Sequence, residues 1–329
     1  MTLTLSCVLV PDRESPDRAR IAESLGYQRA LFYDSPALYP DVWVQLCRTA
    51  ERTDTIGLGT GVMVPSNRHP MTTASAIATL VHLAGSERVV VAVGTGFTSR
   101  VAMGQRALSW RYVDEYVQTV QGLLRGEVMQ WDGAPIQMLH SPGLAPPLPI
   151  RVPILFGADG PKGQAVARRL GQGVLSTRSP IPGFAWSMAM TYGTVLEEGE
   201  SPDSERVLAA AGHAGGVRLH FLHTRGRLPA DEEQAWLRSY QPIPAERRHL
   251  AMHYGHLVHL NDYDRPYVTG QRLAEWGMAQ SPEGWGRTFA RMQHGGATEI
   301  AYQPAGPDIP RELEAFAKAF QRYIVDTGH

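Results

Sequence analysis

Residues 56–70 read Ile-Gly-Leu-Gly-Thr-Gly-Val-Met-Val-Pro-Ser-Asn-Arg-His-Pro. The stretch is a short strand pattern carrying glycine at 57, 59 and 61. Glycine weakens a strand interior, so three of them point to a bulge or to a ligand that needs bare backbone. The reading of this stretch depends on what flanks it.

Upstream, residues 3–10 (LTLSCVLV) and 27–33 read as strands, and 12–25 and 41–53 as helices, the first closed by Gly26. Downstream, 71–84 is a small-residue helix, and 88–94 (RVVVAVG) is a continuous β-branched run of the kind buried in a parallel sheet. Residues 110–126 form an amphipathic helix, and 128–140 a hairpin about Asp132-Gly133. Further on, 152–156, 173–177, 207–211 and 298–302 read as strands. Helices are expected over 160–170, 183–199, 283–294 and 311–325, and the region 213–280 is irregular and partly helical.

Strands alternating with helices imply right-handed crossovers and a parallel sheet. Eight such units in 329 residues fit a (β/α)8 TIM barrel with insertions at about 97–150 and 212–280, forming one domain over 1–329. In a barrel, function collects at the C-terminal ends of the strands. That rule nominates Asp34-Ser35, Gly61 to His69, Gly94 to Thr98, Gly157 to Lys162, Thr177-Arg178, His213 and Gln303.

Composition narrows the function classes. Lys and Arg total 31 against 32 Asp and Glu, which offers no footprint for nucleic acid or an anionic membrane. No apolar run approaches the length of a membrane span. There is no basic leader, and the two cysteines, Cys7 and Cys47, sit in apolar patterns. The expectation is a cytoplasmic protein without disulfides.

The motifs are individually modest. Gly94-Thr95-Gly96-Phe97-Thr98 either lets backbone approach a ligand or only reverses the chain. The dinucleotide pattern G-x-G-x-x-G fails, because Val62 and Ser99 stand at the third glycine position. Gly157-Ala158-Asp159-Gly160-Pro161-Lys162-Gly163 opens a helix, where free N–H groups and Lys162 make an anion site or an ordinary turn. Asp34 either fixes a ligand's polar edge or makes a turn before Pro36. His69 either donates a proton or covers a strand end. Seven of the twelve histidines fall between 213 and 259. Three-residue steps turn His253, His256 and His259 away from one another on a helix. No H-E-x-x-H or G-x-S-x-G occurs, and no metal is expected.

Three segments carry a resemblance: DSPALYPDVWVQLCRTAERTDTIGLGTGVMVPSNRHPMTTASAIATLVHLAGSERVVVAVGTG, GADGPKGQAVARRLGQGV and TEIAYQPAG. They resemble the luciferase-like monooxygenase family, in its branch with methylenetetrahydromethanopterin reductase and other deazaflavin-dependent oxidoreductases. The resemblance covers most of the chain except about 178–280. It implies a TIM barrel with a cofactor at the mouth, a non-prolyl cis peptide at Gly61–Val62 beneath the ring, and cofactor contacts at Asp34, Gly61, Val62, Gly94, Thr95, Ala158, Gly160 and Pro161, with the phosphate at the Gly160 helix start. The implied activity is hydride transfer between coenzyme F420 (8-hydroxy-5-deazaflavin) and a small organic substrate, with His69 and His256 as candidate acids. It also implies a homodimer. Ser35 stands where deazaflavin enzymes often have histidine, which keeps FMN open: a monooxygenase fed by a flavin reductase. A non-catalytic flavin-binding barrel is the alternative of another class.

Overall fold

The computed structural model describes residues 2–327. Eight parallel strands close into a barrel. They are β1 (Thr4–Leu9), β2 (Arg29–Phe32), β3 (Gly57–Met63), β4 (Val89–Gly94), β5 (Ile154–Gly157), β6 (Gly173–Ser176), β7 (Ser187–Tyr192) and β8 (Glu299–Gln303). Each pairs with the next in sequence, and β8 closes on β1 with Cys7 opposite Tyr302. The TIM-barrel expectation holds. The hairpin holds too: Met129–Trp131 pairs antiparallel with Ala134–Ile136, and the tip residues Asp132 and Gly133 both have positive φ, as a tight two-residue turn requires.

One strand assignment is wrong. Residues 183–199 are not a helix but contain β7, while 207–211 lie inside a helix, Glu205–Thr224. The cause is local propensity yielding to burial. Ser-Met-Ala-Met-Thr-Tyr has almost no β-branched side chains, yet every residue from Ser187 to Thr191 is buried between β6 and β8. Between β6 and β7 the chain crosses without a helix. Phe184 of that crossing lies under the Arg168 guanidinium, 4.2 Å from its ring, and Arg168 also donates to the Gly183 carbonyl.

Two apolar layers result. Outside the strands, helix Ile309–Thr327 packs Phe316 face to face on Tyr302, centroids 3.8 Å apart. Inside, Val8, Leu31, Val90, Ala92, Leu155, Leu175, Met188, Met190 and Ala301 fill the barrel, with Tyr33, Val62 and Tyr192 resting on them.

The long segment between β7 and β8 carries helices Glu205–Thr224, Ala230–Ser239, Arg248–His253 and Gly270–Glu275. It has its own core of Leu219, Leu228, Trp236 and Tyr240. The buried Asp264 carboxylate is its polar hub, accepting from Trp236 Nε1, Tyr240 Oη and Asn261 Nδ2 and facing His220 Nε2 at 2.8 Å. The first of these helices starts at Ser204, whose Oγ accepts from Val207 N. Ser204→Ala is expected to cost about 1 kcal/mol, read as a lowered midpoint in urea. An unchanged midpoint would mean that this cap contributes nothing.

Candidate active site

The end of β3 is bulged: its pairing with β4 shifts register between Thr60 and Met63, and the Gly61–Val62 peptide is cis. Val62 is half-buried at the top of the barrel interior, beside Tyr33 and Tyr192. Two glycines make room for it. A methyl group at Gly94 would stand 2.6 Å from Val62 Cγ2, and one at Gly157 would stand 2.9 Å from Val62 Cγ1. Gly94 and Gly157 therefore clear the space occupied by the Val62 side chain. The motif at 94–98 left open whether its bare backbone admits a ligand or only reverses the chain, and at Gly94 the missing side chain makes room for Val62.

The chain just beyond the bulge is pinned by a residue that follows β2. Asp34, at the end of β2, is buried, and its Oδ2 accepts from Val64 N at 3.0 Å. Both carboxylate oxygens accept from Arg68 Nη1 at 2.9 Å, and Arg68 Nη2 reaches Asp41 at 2.6 Å. Asp34 thus spends its lone pairs on the protein, holding the chain that follows β3. Arg68 lies inside the stretch 56–70, where nothing in the local pattern assigns it a role. A buried carboxylate at a strand end needs a cation, and that was the available signal.

At the ends of β4 and β5 the glycine-rich turns lead into helices. Gly96 has φ +71°, and Phe97–Val101 forms a short helix with Phe97 exposed. Thr95 is half-buried, while the Ser99 hydroxyl is buried with no hydrogen-bond partner. After β5, Ala158 is buried and Gly160 caps helix Pro161–Leu170 without any side-chain cap. A methyl at Gly160 would meet nothing within 4 Å, so the helix start is open. Lys162 stands exposed in its first turn. Asp159 turns the other way, accepting from Ser176 Oγ and from Thr177 N and Oγ1.

The two candidate acids are placed apart. His69 is exposed and caps helix Pro70–Ala84, its Nδ1 accepting from Met71 N. Its ring meets Trp131 of the hairpin edge-on at 6.3 Å. His256 belongs to the long insertion, which folds over the mouth: Tyr39 Oη donates to the His256 carbonyl, and Gln303 Nε2 donates to the Leu257 carbonyl. Burial, followed by the nearby His253, His220 and His213, pushes the His256 imidazole down to about 3, so the ring is neutral at pH 7. His213 is not at a strand end. It lies within helix Glu205–Thr224, yet its Nε2 still reaches Gln303 Oε1 at the end of β8, 2.8 Å away. His253, His256 and His259 do not share a helix, which ends at His253 with Gly255 at φ +70° beyond it. Among the described residues no group of three or more His, Cys, Asp or Glu is placed to hold a metal ion. No helix there is long and apolar enough to cross a membrane.

Three tyrosines at the mouth, the buried Tyr39 and the half-buried Tyr33 and Tyr192, were not foreseen. Burial drives each phenol well above its usual range, so all three are neutral. The Tyr33 hydroxyl is buried without a partner. Isolated tyrosines in strand and turn patterns carry no sequence signal that they will meet.

A family model described as luciferase-like monooxygenase matches residues 11–291. The chain belongs to the luciferase-like monooxygenase family. As an enzyme class this makes it an oxidoreductase. This luciferase-like chain is 30% identical over 297 residues to the 5,10-methylenetetrahydromethanopterin reductase of Archaeoglobus fulgidus, covering 84% of this chain and 86% of that one. Its fold is that of the coenzyme F420-dependent tetrahydromethanopterin reductase of Methanopyrus kandleri, with TM-score 0.68 at 16% identity over 98% of this chain and 100% of that one. An F420-dependent secondary alcohol dehydrogenase shares the fold with TM-score 0.65 at 16% identity, over 97% of this chain and 98% of that one.

Proposed function

We propose that the chain transfers a hydride between coenzyme F420 and a small organic substrate. The observation that carries the reading is the Val62 shelf on the bulged end of β3, set in one barrel mouth with the open helix start at Gly160. Similarity to an F420-dependent glucose-6-phosphate dehydrogenase of Beutenbergia cavernae, 28% identical over 240 residues and covering 65% of this chain and 69% of that one, supports deazaflavin over FMN.

The residues present fit such a group. Gly61 and Val62 offer a flat apolar support. The uncapped N–H groups of the helix start, with Lys162, offer a phosphate cradle. The orphaned Ser99 and Tyr33 hydroxyls offer donors that the protein itself leaves unused. Bound there, a deazaflavin supplies two-electron hydride chemistry. The chain supplies position and exclusion of water. The insertion covers the mouth through Tyr39 and Gln303, and the neutral His256 and Tyr33 supply hydrogen bonds to a substrate oxygen.

Titration of the purified protein with F420 and with FMN tests the reading. Tighter binding of F420 is expected. Preferential capture of reduced FMN with oxygen-dependent turnover would replace this reading with that of a monooxygenase. Gly94→Ala, which crowds Val62, is expected to weaken cofactor binding about ten-fold while the far-ultraviolet circular dichroism stays unchanged. Unaltered affinity in that variant would remove Val62 from the site.

A further inference from the structure

Phe221, near the end of helix Glu205–Thr224, gathers three arginines. The guanidinium carbons of Arg178, Arg225 and Arg218 lie 4.8, 5.4 and 5.9 Å from its ring centroid. All three side chains belong to exposed residues. One carboxylate attends them: Asp159 stands 3.6 Å from Arg178. Among the described residues no carboxylate forms an ion pair with Arg218 or Arg225.

A helix C-terminus attracts cations, and this accounts for Arg225, which caps the helix. That attraction fades within the last turn, so it does not reach Arg218. Nor does it explain Arg178, which arrives from the β6 end of the barrel. The fold brings together three like charges from two elements, against one acid already engaged by Ser176 and Thr177. A guanidinium stacked on a ring keeps its N–H donors free for planar anions. The cluster also adjoins the open helix start, because Asp159, which faces Arg178, is the residue before Gly160.

We propose that Arg178, Arg218 and Arg225, gathered on Phe221, bind the anionic part of a small molecule whose body lies in the barrel mouth: a ligand carrying two or more carboxylate or phosphate groups. The placement of that body rests on the proposed function; the anion site does not. Either the charged portion of the cofactor or an anionic substrate offers this chemistry.

The test uses the full chain and the triple variant Arg178→Gln, Arg218→Gln, Arg225→Gln, with Arg227→Gln, Arg238→Gln, Arg247→Gln as a charge-matched control. Inorganic pyrophosphate is titrated into each by calorimetry. Binding to the wild type and the control, with a loss of about ten-fold or more in the triple variant, supports the site. Equal affinity in all three, or no binding to the wild type, overturns it. F420 and its deazaflavin chromophore without the phosphate and carboxylate groups then separate the sources. If the triple variant loses affinity for F420 but not for the chromophore, the site holds the cofactor's charged portion. If it loses pyrophosphate but keeps F420, the site serves an anionic substrate. A wild type that binds pyrophosphate but not F420 refutes the cofactor reading and leaves the anion site standing.

Discussion

Replacing Arg68 by alanine is expected to lower the unfolding free energy by about 3–5 kcal/mol, because a buried carboxylate is left without its cation. The side chains of Arg68 and Asp34 are 13% and 1% exposed, so water cannot substitute for the guanidinium. Asp34 would keep only the Val64 N–H. The same loss frees the chain after β3, so cofactor binding should weaken even under conditions where the variant is folded. Pairing Arg68→Met with Asp34→Asn removes both charges and is expected to recover much of the stability. Urea denaturation of the two variants beside the wild type decides the matter. A single variant costing less than about 1 kcal/mol would place the pair among solvent-screened surface bridges.

Acidification is expected to destabilise the insertion over the mouth well before it affects the barrel. His213 and His253 are pushed down to about 4 and His256 to about 3, each mainly by burial. Unfolded, each imidazole titrates near 6.5, so below that pH the unfolded chain binds more protons than the folded one. The stabilisation is complete above pH 6.5, falls as the pH drops toward 4, and levels off below about 3. His213 alone contributes on the order of 3 kcal/mol across that interval. The carboxylates do not confuse the window: Glu200, held down to about 2 mainly by its hydrogen bond from Arg206, loses its contribution only below about 4.5. Amide exchange in residues 205–267 at pH 7 and pH 5 should show early loss of protection there, with the strands unchanged. His213→Gln should flatten the dependence, and parallel curves for variant and wild type would rule out the histidines.

Much of the fold was readable because its determinants are local. The run from Val89 to Val93 can be buried on both faces only as a strand. Gly26, Asp132-Gly133 and Gly160-Pro161 set turns and helix starts through their own backbone preferences. β7 was not readable, since Ser187 to Tyr192 become a strand only through the neighbours that bury them. The alanine-rich 207–211 resembles a strand only while the barrel still needs one.

The site divides in the same way. Sequence by itself determined the alternation of strands and helices, hence the barrel and the end of it where chemistry collects, because hydrophobic period and turn chemistry act over a few residues. It also singled out residues 56–70 and the helix start at Gly160. Tertiary structure alone decided what those residues touch. It set Val62 into the space left by Gly94 and Gly157, gave Asp34 to Arg68 rather than to open solvent, joined the His256 carbonyl to Tyr39, and brought Arg178 to the ring of Phe221 beside Arg218 and Arg225. Apart from Arg218 and Arg225, which share the helix end with Phe221, these contacts join residues far apart in sequence, up to 217 places for Tyr39 and His256, and only the closed barrel and the insertion folded across it bring them within reach.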